Sequence, residues 1–125
     1  MQTSEKKILI VDDDTRNIFA LSAVLRSKGY NCVSSGTVSD AVEIIKSGTG
    51  IGIILMDMMM PDMDGYEAIP RIKNLEEGQK IPIIAVTAQA MVGDKERCLA
   101  AGADGYIAKP VDVDLLMTLL KQYIG

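Results

Sequence analysis

The sequence predicts an α/β fold, a parallel sheet with helices packed on both faces. Short runs rich in Ile and Val alternate with longer amphipathic stretches, which is the pattern of a doubly wound sheet. Five such runs occur, and the first, third and fourth are apolar without alternation, so both faces of those strands must be covered. The 125 residues leave room for one domain, taken as 1–125 with 1–6 as a flexible polar lead.

In chain order, Ile8-Leu9-Ile10-Val11 is the first strand. Ile18, Leu21 and Leu25 then recur at helical spacing and predict a core-facing helix stripe. Asn31-Cys32-Val33 is the second strand, with Gly29 before it and Ser34-Ser35-Gly36 read as a turn after it. Ala41, Ile44 and Ile45 mark the second helix, and Ile51 to Met56 the third strand. The glycine-rich run Gly48-Thr49-Gly50-Ile51-Gly52 precedes that strand. A phosphate cradle lies between strand and helix, so this run is read as a loop. Tyr66 to Leu75 predicts a third helix that is kinked or short, because Pro70 inside it deletes one backbone bond at a cost of about 3 kcal/mol. Ile81 to Val86 is the fourth strand, Gly93-Asp94 and Gly102 are read as turns and caps, and Tyr106-Ile107-Ala108 is the fifth strand. Leu115, Leu116, Leu119 and Leu120 form the stripe of the last helix.

Composition removes several classes of function. Apolar residues make up 48% and charged residues 24%, as in a soluble globular domain, and no apolar run approaches the ~18 residues of a transmembrane helix. With no signal-peptide core behind the polar lead, the expected location is the cytoplasm. Cys32 and Cys98 have no CxxC spacing and are read as buried thiols. The absence of histidine excludes a Ser-His-Asp triad and a His-based metal site, leaving Asp, Glu, Lys, Ser and Thr to carry any chemistry. A net charge of -4, 4% aromatics and no Trp argue against direct nucleic-acid binding.

The informative polar residues stand where strands end. Asp12-Asp13 follow Val11, Asp57 follows Met56, Thr87 follows Val86 and Lys109 follows Ala108. Ligands of an open parallel sheet bind outside the carboxyl ends of its strands, so these five residues should converge. Three negative charges against one positive charge call for a cation, and an all-oxygen set suits a hard divalent ion, Mg2+ above all. With that ion, Lys109 and the Thr87 hydroxyl could stabilise a phosphoryl group in transfer while a carboxylate attacks phosphorus in line.

Simpler roles compete. Asp12 to Asp14 suit a helix N-cap, but a cap needs only one of the three. Met56, Met58, Met59, Met60 and Met63 could be imagined as a Cu(I) site; filling irregular core gaps is the better account of them.

At this point the residues match a family. Ile-Leu-Ile-Val-Asp12-Asp13-Asp14, Ile-Leu-Met-Asp57-Met-Met-Met-Pro61-Asp-Met-Asp-Gly65, Ile-Ala-Val-Thr87-Ala88 and Gly-Tyr106-Ile-Ala-Lys109-Pro110 occur in that order. Over essentially its whole length the chain resembles the receiver domains of two-component response regulators. Asp12-Asp13-Asp14-Thr15-Arg16-Asn17 followed by Ile-Phe-Ala-Leu looks like receivers attached to hybrid histidine kinases.

The resemblance implies a CheY-like, flavodoxin-like (βα)5 fold with strand order 2-1-3-4-5. It implies a phosphorelay role in which Asp57 accepts a phosphoryl group from a phosphohistidine on a histidine kinase or histidine phosphotransfer domain. Asp12, Asp13, Asp57 and the Met59 backbone carbonyl would hold Mg2+, with Mn2+ as a substitute, and Asp12 would act through water. Thr87, Ala88 and Lys109 would bind the phosphoryl oxygens, and the Lys109-Pro110 bond would be cis. Thr87 and Tyr106 would be the switch pair, the ring swinging inward as Thr87 moves, with output through the fourth helix, fifth strand and fifth helix. Met59 and Gln89 occupy positions that tune the lifetime of the acyl phosphate; neither is a carboxylate that could orient water, so modest autodephosphorylation is expected. The implied molecule is a signalling switch that catalyses its own phosphorylation, not an enzyme acting on an external substrate. Its output passes to a downstream protein or to the remainder of a hybrid kinase, with no direct membrane or nucleic-acid contact.

Three alternatives fit less well. A haloacid-dehalogenase-type phosphatase needs DxDx[TV], and here Thr15 and Arg16 shift the hydroxyl by one place. A receiver-like module that never takes phosphate would have lost one of the acids. A flavodoxin would place the cofactor phosphate against an acidic first loop.

Overall fold

The computed structural model describes residues 6–48, 50–60, 63–88 and 92–124. Strands and helices alternate as β1 (Lys7–Val11), α1 (Thr15–Ser27), β2 (Asn31–Ser35), α2 (Val38–Lys46), β3 (Ile51–Asp57), α3 (Gly65–Lys73), β4 (Ile83–Thr87), α4 (Asp94–Ala100), β5 (Gly105–Ala108) and α5 (Val113–Ile124). All four strand pairings are parallel, and the order across the sheet is β2-β1-β3-β4-β5. The chain steps from β1 to one side for β2 and to the other for β3, so the topological switch point lies between β1 and β3.

The unbroken apolar runs follow from this layering. Leu9, Val11, Ile54, Met56, Ile83 and Ala85 point to a core completed by α2, α3 and α4, through residues such as Ala41, Ile45, Ile69, Ile72 and Cys98. Their neighbours Ile8, Ile10, Ile53, Leu55, Ile84 and Val86 point to the other face and pack on Leu25 of α1 and Leu116 and Leu120 of α5. Successive strand residues face opposite ways, so burial on both sides demands an apolar residue at every position. Each fully buried Ile or Leu contributes roughly 1.5–3 kcal/mol from its removal from water. Met56, Met58 and Met60 are buried in the first of these cores and Met63 packs partly against it, as gap filling requires, whereas Met59 is half exposed and fills no core gap, contrary to expectation.

The helices start where side chains can serve their unpaired N–H groups. Asp14 caps α1 by accepting from the Arg16 N–H at 2.9 Å, Thr37 caps α2 through Asp40, and Asp64 caps α3 through Glu67. Gly93, with φ of 86°, precedes α4 in a left-handed conformation that suits glycine. Gly65 is required for a different reason: a Cβ there would lie 2.2 Å from the Met58 sulfur, so only glycine lets α3 begin against the end of β3.

Several boundaries differ from those expected. β2 runs on to Ser35, because Asp12 donates its N–H to the Ser35 carbonyl at 3.0 Å and the Ser35 hydroxyl satisfies the Thr37 carbonyl. β4 begins at Ile83, since Pro82 has no N–H to give a neighbouring strand. The expected cap is found at Gly93-Asp94, with Gly93 the N-cap residue and Asp94 the first residue of α4. α3 spans nine residues and runs through Pro70, whose ring is exposed. Cys98 is buried, whereas Cys32 is only half-buried, because β2 is an edge strand. Of the glycine-rich run, Gly48 and Gly50 lie in the connection and Gly52 is within β3; position 49 and the lead 1–5 lie outside the described residues. Among the described residues no helix is long and apolar enough to cross a membrane.

Candidate functional site

β1 and β3 deliver their last residues to the switch point. Asp12 follows β1 with its side chain buried, and one of its oxygens accepts from the Asp14 N–H at 2.9 Å. Asp13 is exposed beside it. Since Asp14 caps α1, the acidic triplet divides its labour and leaves Asp12 and Asp13 for the crevice. Asp57 ends β3 and is 5% exposed. Its Oδ1 accepts from the Met59 N–H at 3.0 Å, and its Oδ2 lies 3.6 Å from the Lys109 ammonium, which is also 4.0 Å from Asp12 Oδ2. Oxygens of Asp12, Asp13 and Asp57 lie within 4.8 Å of one another.

This crowding has an electrostatic signature. Burial pushes the Asp57 carboxyl above its ordinary range, while the Met59 N–H and Lys109 pull it down and Asp12 pushes it up again. One ammonium does not balance three carboxylates, and the all-oxygen donor set with exposed Asp13 at its edge fits a hard divalent cation that keeps some of its water.

The far side of the crevice comes from β4 and β5. Thr87 is the last residue of β4, buried, and paired in register with Ala108. Its carbonyl accepts from the Lys109 N–H at 2.7 Å, which fixes the base of the lysine stem. Ala88 follows, exposed. The Lys109-Pro110 peptide is cis. Asp12, Asp13, Asp57 and Lys109 therefore meet at one rim, with Thr87 and Ala88 at the end of the adjoining strand. The Met59 backbone is tied to Asp57 while its side chain is exposed. Gln89 lies outside the described residues. A cleft of about 540 Å3 leads away from Asp12 and Lys109 between Ala20, Leu21 and Val24 of α1 and Val111.

Tyr106 stands opposite Ala85 in the β4–β5 pairing, on the sheet face covered by α3 and α4. Its hydroxyl donates to Asp94 Oδ2 at 3.2 Å, and the Tyr66 hydroxyl donates to Asp94 Oδ1. Asp94 is buried, and the Arg97 guanidinium lies 4.3 Å from the centre of the Tyr66 ring. The bond to Asp94 holds the Tyr66 hydroxyl far above the usual phenol range; for Tyr106, burial acts first and the same carboxylate second. Sequence reasoning missed Asp94 and Tyr66, because nothing in their spacing signals a contact between α3 and the start of α4.

The sequence pattern of the response regulator receiver domain matches residues 8–121. The chain belongs to that family. This receiver domain is 40% identical over 116 residues to the sensor histidine kinase RcsC of Salmonella typhimurium, a match covering 93% of this chain and 12% of the kinase. It thus spans about an eighth of the length of the sensor kinases it matches. It is 33% identical over 120 residues to the polar-differentiation response regulator DivK of Brucella ovis, covering 96% and 97% of the two chains. Among solved structures, the receiver domain of the sensor histidine kinase PA1611 from Pseudomonas aeruginosa, with a magnesium ion coordinated in its active-site cleft, superposes with a TM-score of 0.87. That pair shares 38% identity over 98% of this chain and 99% of the other. The receiver domain of the yeast response regulator Ssk1, co-crystallised with the histidine phosphotransfer protein Ypd1, gives a TM-score of 0.86 at 28% identity, covering 99% and 92%. The receiver is a signalling switch domain of two-component phosphorelay. Its sheet order is the one the resemblance implied.

Proposed function

We propose that this receiver takes a phosphoryl group onto Asp57 from a phosphohistidine of a histidine kinase or histidine phosphotransfer partner. The observation that carries the reading is the buried Asp57 carboxylate held 3.6 Å from Lys109 and grouped with two further carboxylates at the rim of the sheet. Asp12, Asp13, Asp57 and the Met59 carbonyl would hold Mg2+, or Mn2+ in its place, which when bound offsets the charge gathered by acceptor and phosphate. Asp57 attacks phosphorus in line, the bond to the imidazole nitrogen breaks, and the partner's histidine leaves with the electron pair. Lys109 pairs with one phosphoryl oxygen, and the Thr87 hydroxyl and Ala88 N–H with others. The partner supplies the imidazole that this histidine-free chain lacks. Donation by a small acyl phosphate needs no partner catalyst, so the receiver promotes its own phosphorylation.

The new dianion draws Thr87 toward Asp57, and the space behind it accommodates the Tyr106 ring, altering the face formed by α4, β5 and α5. That face signals in the cytoplasm to a downstream protein or to the remainder of a hybrid kinase. The PA1611 receiver with its magnesium and the Ssk1 receiver with its phosphotransfer partner support this reading as relatives.

Incubation with acetyl phosphate and Mg2+ is expected to add the mass of one phosphoryl group, mapped to Asp57 by borohydride reduction. Chelation should prevent it. A group mapped elsewhere overturns the assignment. Met59, half exposed beside Asp57, offers an attacking water only a weakly accepting thioether sulfur. Met59→Asn should therefore speed decay of the adduct several-fold, read by intact mass against time; an unchanged rate removes Met59 from control of lifetime.

A further inference from the structure

We propose that Asp94 is a positioning residue for the switch ring, a buried acceptor on α4 that holds Tyr106 inward and so favours phosphorylation of Asp57. The inference rests on the reading of Tyr106 as the switch and extends it to α3 and α4. A phenol can turn into a core only if its hydroxyl keeps a hydrogen-bond partner, since an unpaired buried donor carries its full desolvation cost. The structure supplies that partner. Tyr106 is half-buried, packed against the core under α3 and α4, and its hydroxyl meets Asp94 Oδ2 at 3.2 Å. The other oxygen of the same carboxylate is taken by Tyr66 of α3, so the acceptor is itself held from a second element.

Asp94 is 5% exposed, and a carboxylate removed from water needs donors as much as the phenols need an acceptor. The three side chains satisfy one another across 12 and 28 residues of sequence, joining β5, α4 and α3. The ring lies on the same sheet face as Thr87, one register step away, because Ala85 pairs with Tyr106 and Thr87 with Ala108. An inward ring and a phosphoryl group at Asp57 then favour each other, and by linkage any group that stabilises the ring inward tightens the site for phosphate.

The test reads the two ends of this coupling separately. In the full chain, 3-fluorotyrosine and 19F NMR follow the Tyr106 signal, assigned with Tyr106→Phe, and the phosphoryl mimic beryllofluoride with Mg2+ gives an affinity for the Asp57 site. Asp94→Ala is expected to move the Tyr106 signal toward that of an exposed tyrosine and to weaken beryllofluoride roughly threefold to tenfold. In a Tyr106→Phe background, where no hydroxyl needs an acceptor, the same replacement should leave the affinity unchanged. A Tyr106 signal that stays in place overturns the proposal. So does an equal loss of affinity in the Tyr106→Phe background, since the effect then bypasses the hydroxyl. A signal that moves with no change in affinity leaves the Asp94 clasp standing and overturns the switch reading on which the coupling depends. If Asp94→Ala does not fold, Asp94→Asn, with one carbonyl oxygen for two hydroxyls, serves the same test with smaller shifts in the same directions.

Discussion

Asp57→Asn is expected to leave no phosphoryl adduct at all and, in metal-free buffer near neutral pH, to melt above the parent protein. The first effect follows from removing the attacking oxygen. The second follows from burial, which raises the Asp57 carboxyl above its ordinary value and outweighs the help of the Met59 N–H and Lys109. A folded state whose acid is raised binds a proton more tightly than the unfolded chain. Stability therefore falls as pH climbs from the ordinary carboxylate value of 3.8 through the raised one. Asparagine carries no charge and escapes that loss, so its Tm should exceed the parent's above the ordinary carboxylate range. The advantage should vanish as pH drops below the ordinary carboxylate range. Added Mg2+ should reverse it by binding the folded parent in preference. Thermal melts across pH, with and without Mg2+, check all three; a less stable variant at neutral pH without metal would sink the charge-crowding account.

Lys109→Met should slow phosphoryl gain from acetyl phosphate by about 100- to 1000-fold, the usual cost of losing one placed charge stabiliser. The ammonium stands 3.6 Å from Asp57 and 4.0 Å from Asp12, so its loss removes the positive partner of two buried carboxylates as well as the proposed contact to the phosphoryl oxygen. The same change makes the acidic cluster more attractive to a cation. Mg2+ affinity is therefore expected to hold or rise while the rate collapses, a combination that a merely misfolded variant would not give. Arginine should restore little, because its planar fork does not replace a compact ammonium. Initial rates by intact mass and Mg2+ titration by calorimetry provide the readouts. A rate within tenfold of the parent removes Lys109 from the transfer step.

The parts of this molecule that could be read from its residues are those enforced by burial. β1, β3 and β4 are apolar at successive positions because both faces of the sheet are covered, and each run ends abruptly where the rim meets water. That made Asp12, Asp57 and Thr87 visible as polar residues at strand ends. β2 is an edge strand with Ser34 and Ser35 in it, and its end was misjudged because pairing to β1, not hydropathy, extends it. The sequence could say that one of Asp12, Asp13 and Asp14 caps a helix; only geometry names Asp14. The Tyr66, Asp94 and Tyr106 contacts left no trace in local pattern, since they depend on where α4 settles over the sheet.

Asp57 and Thr87 are the closing residues of β3 and β4, not members of the loops beyond them, and the Met58 N–H continues the pairing by binding the Val86 carbonyl at 3.0 Å. The proposed acceptor is thus fixed to the sheet itself, while the loops where a partner would dock are hung from its edge. Such a division lets recognition drift by mutation without detuning the acceptor. Grafting those segments between relatives should accordingly retarget a signal while keeping the transfer chemistry whole.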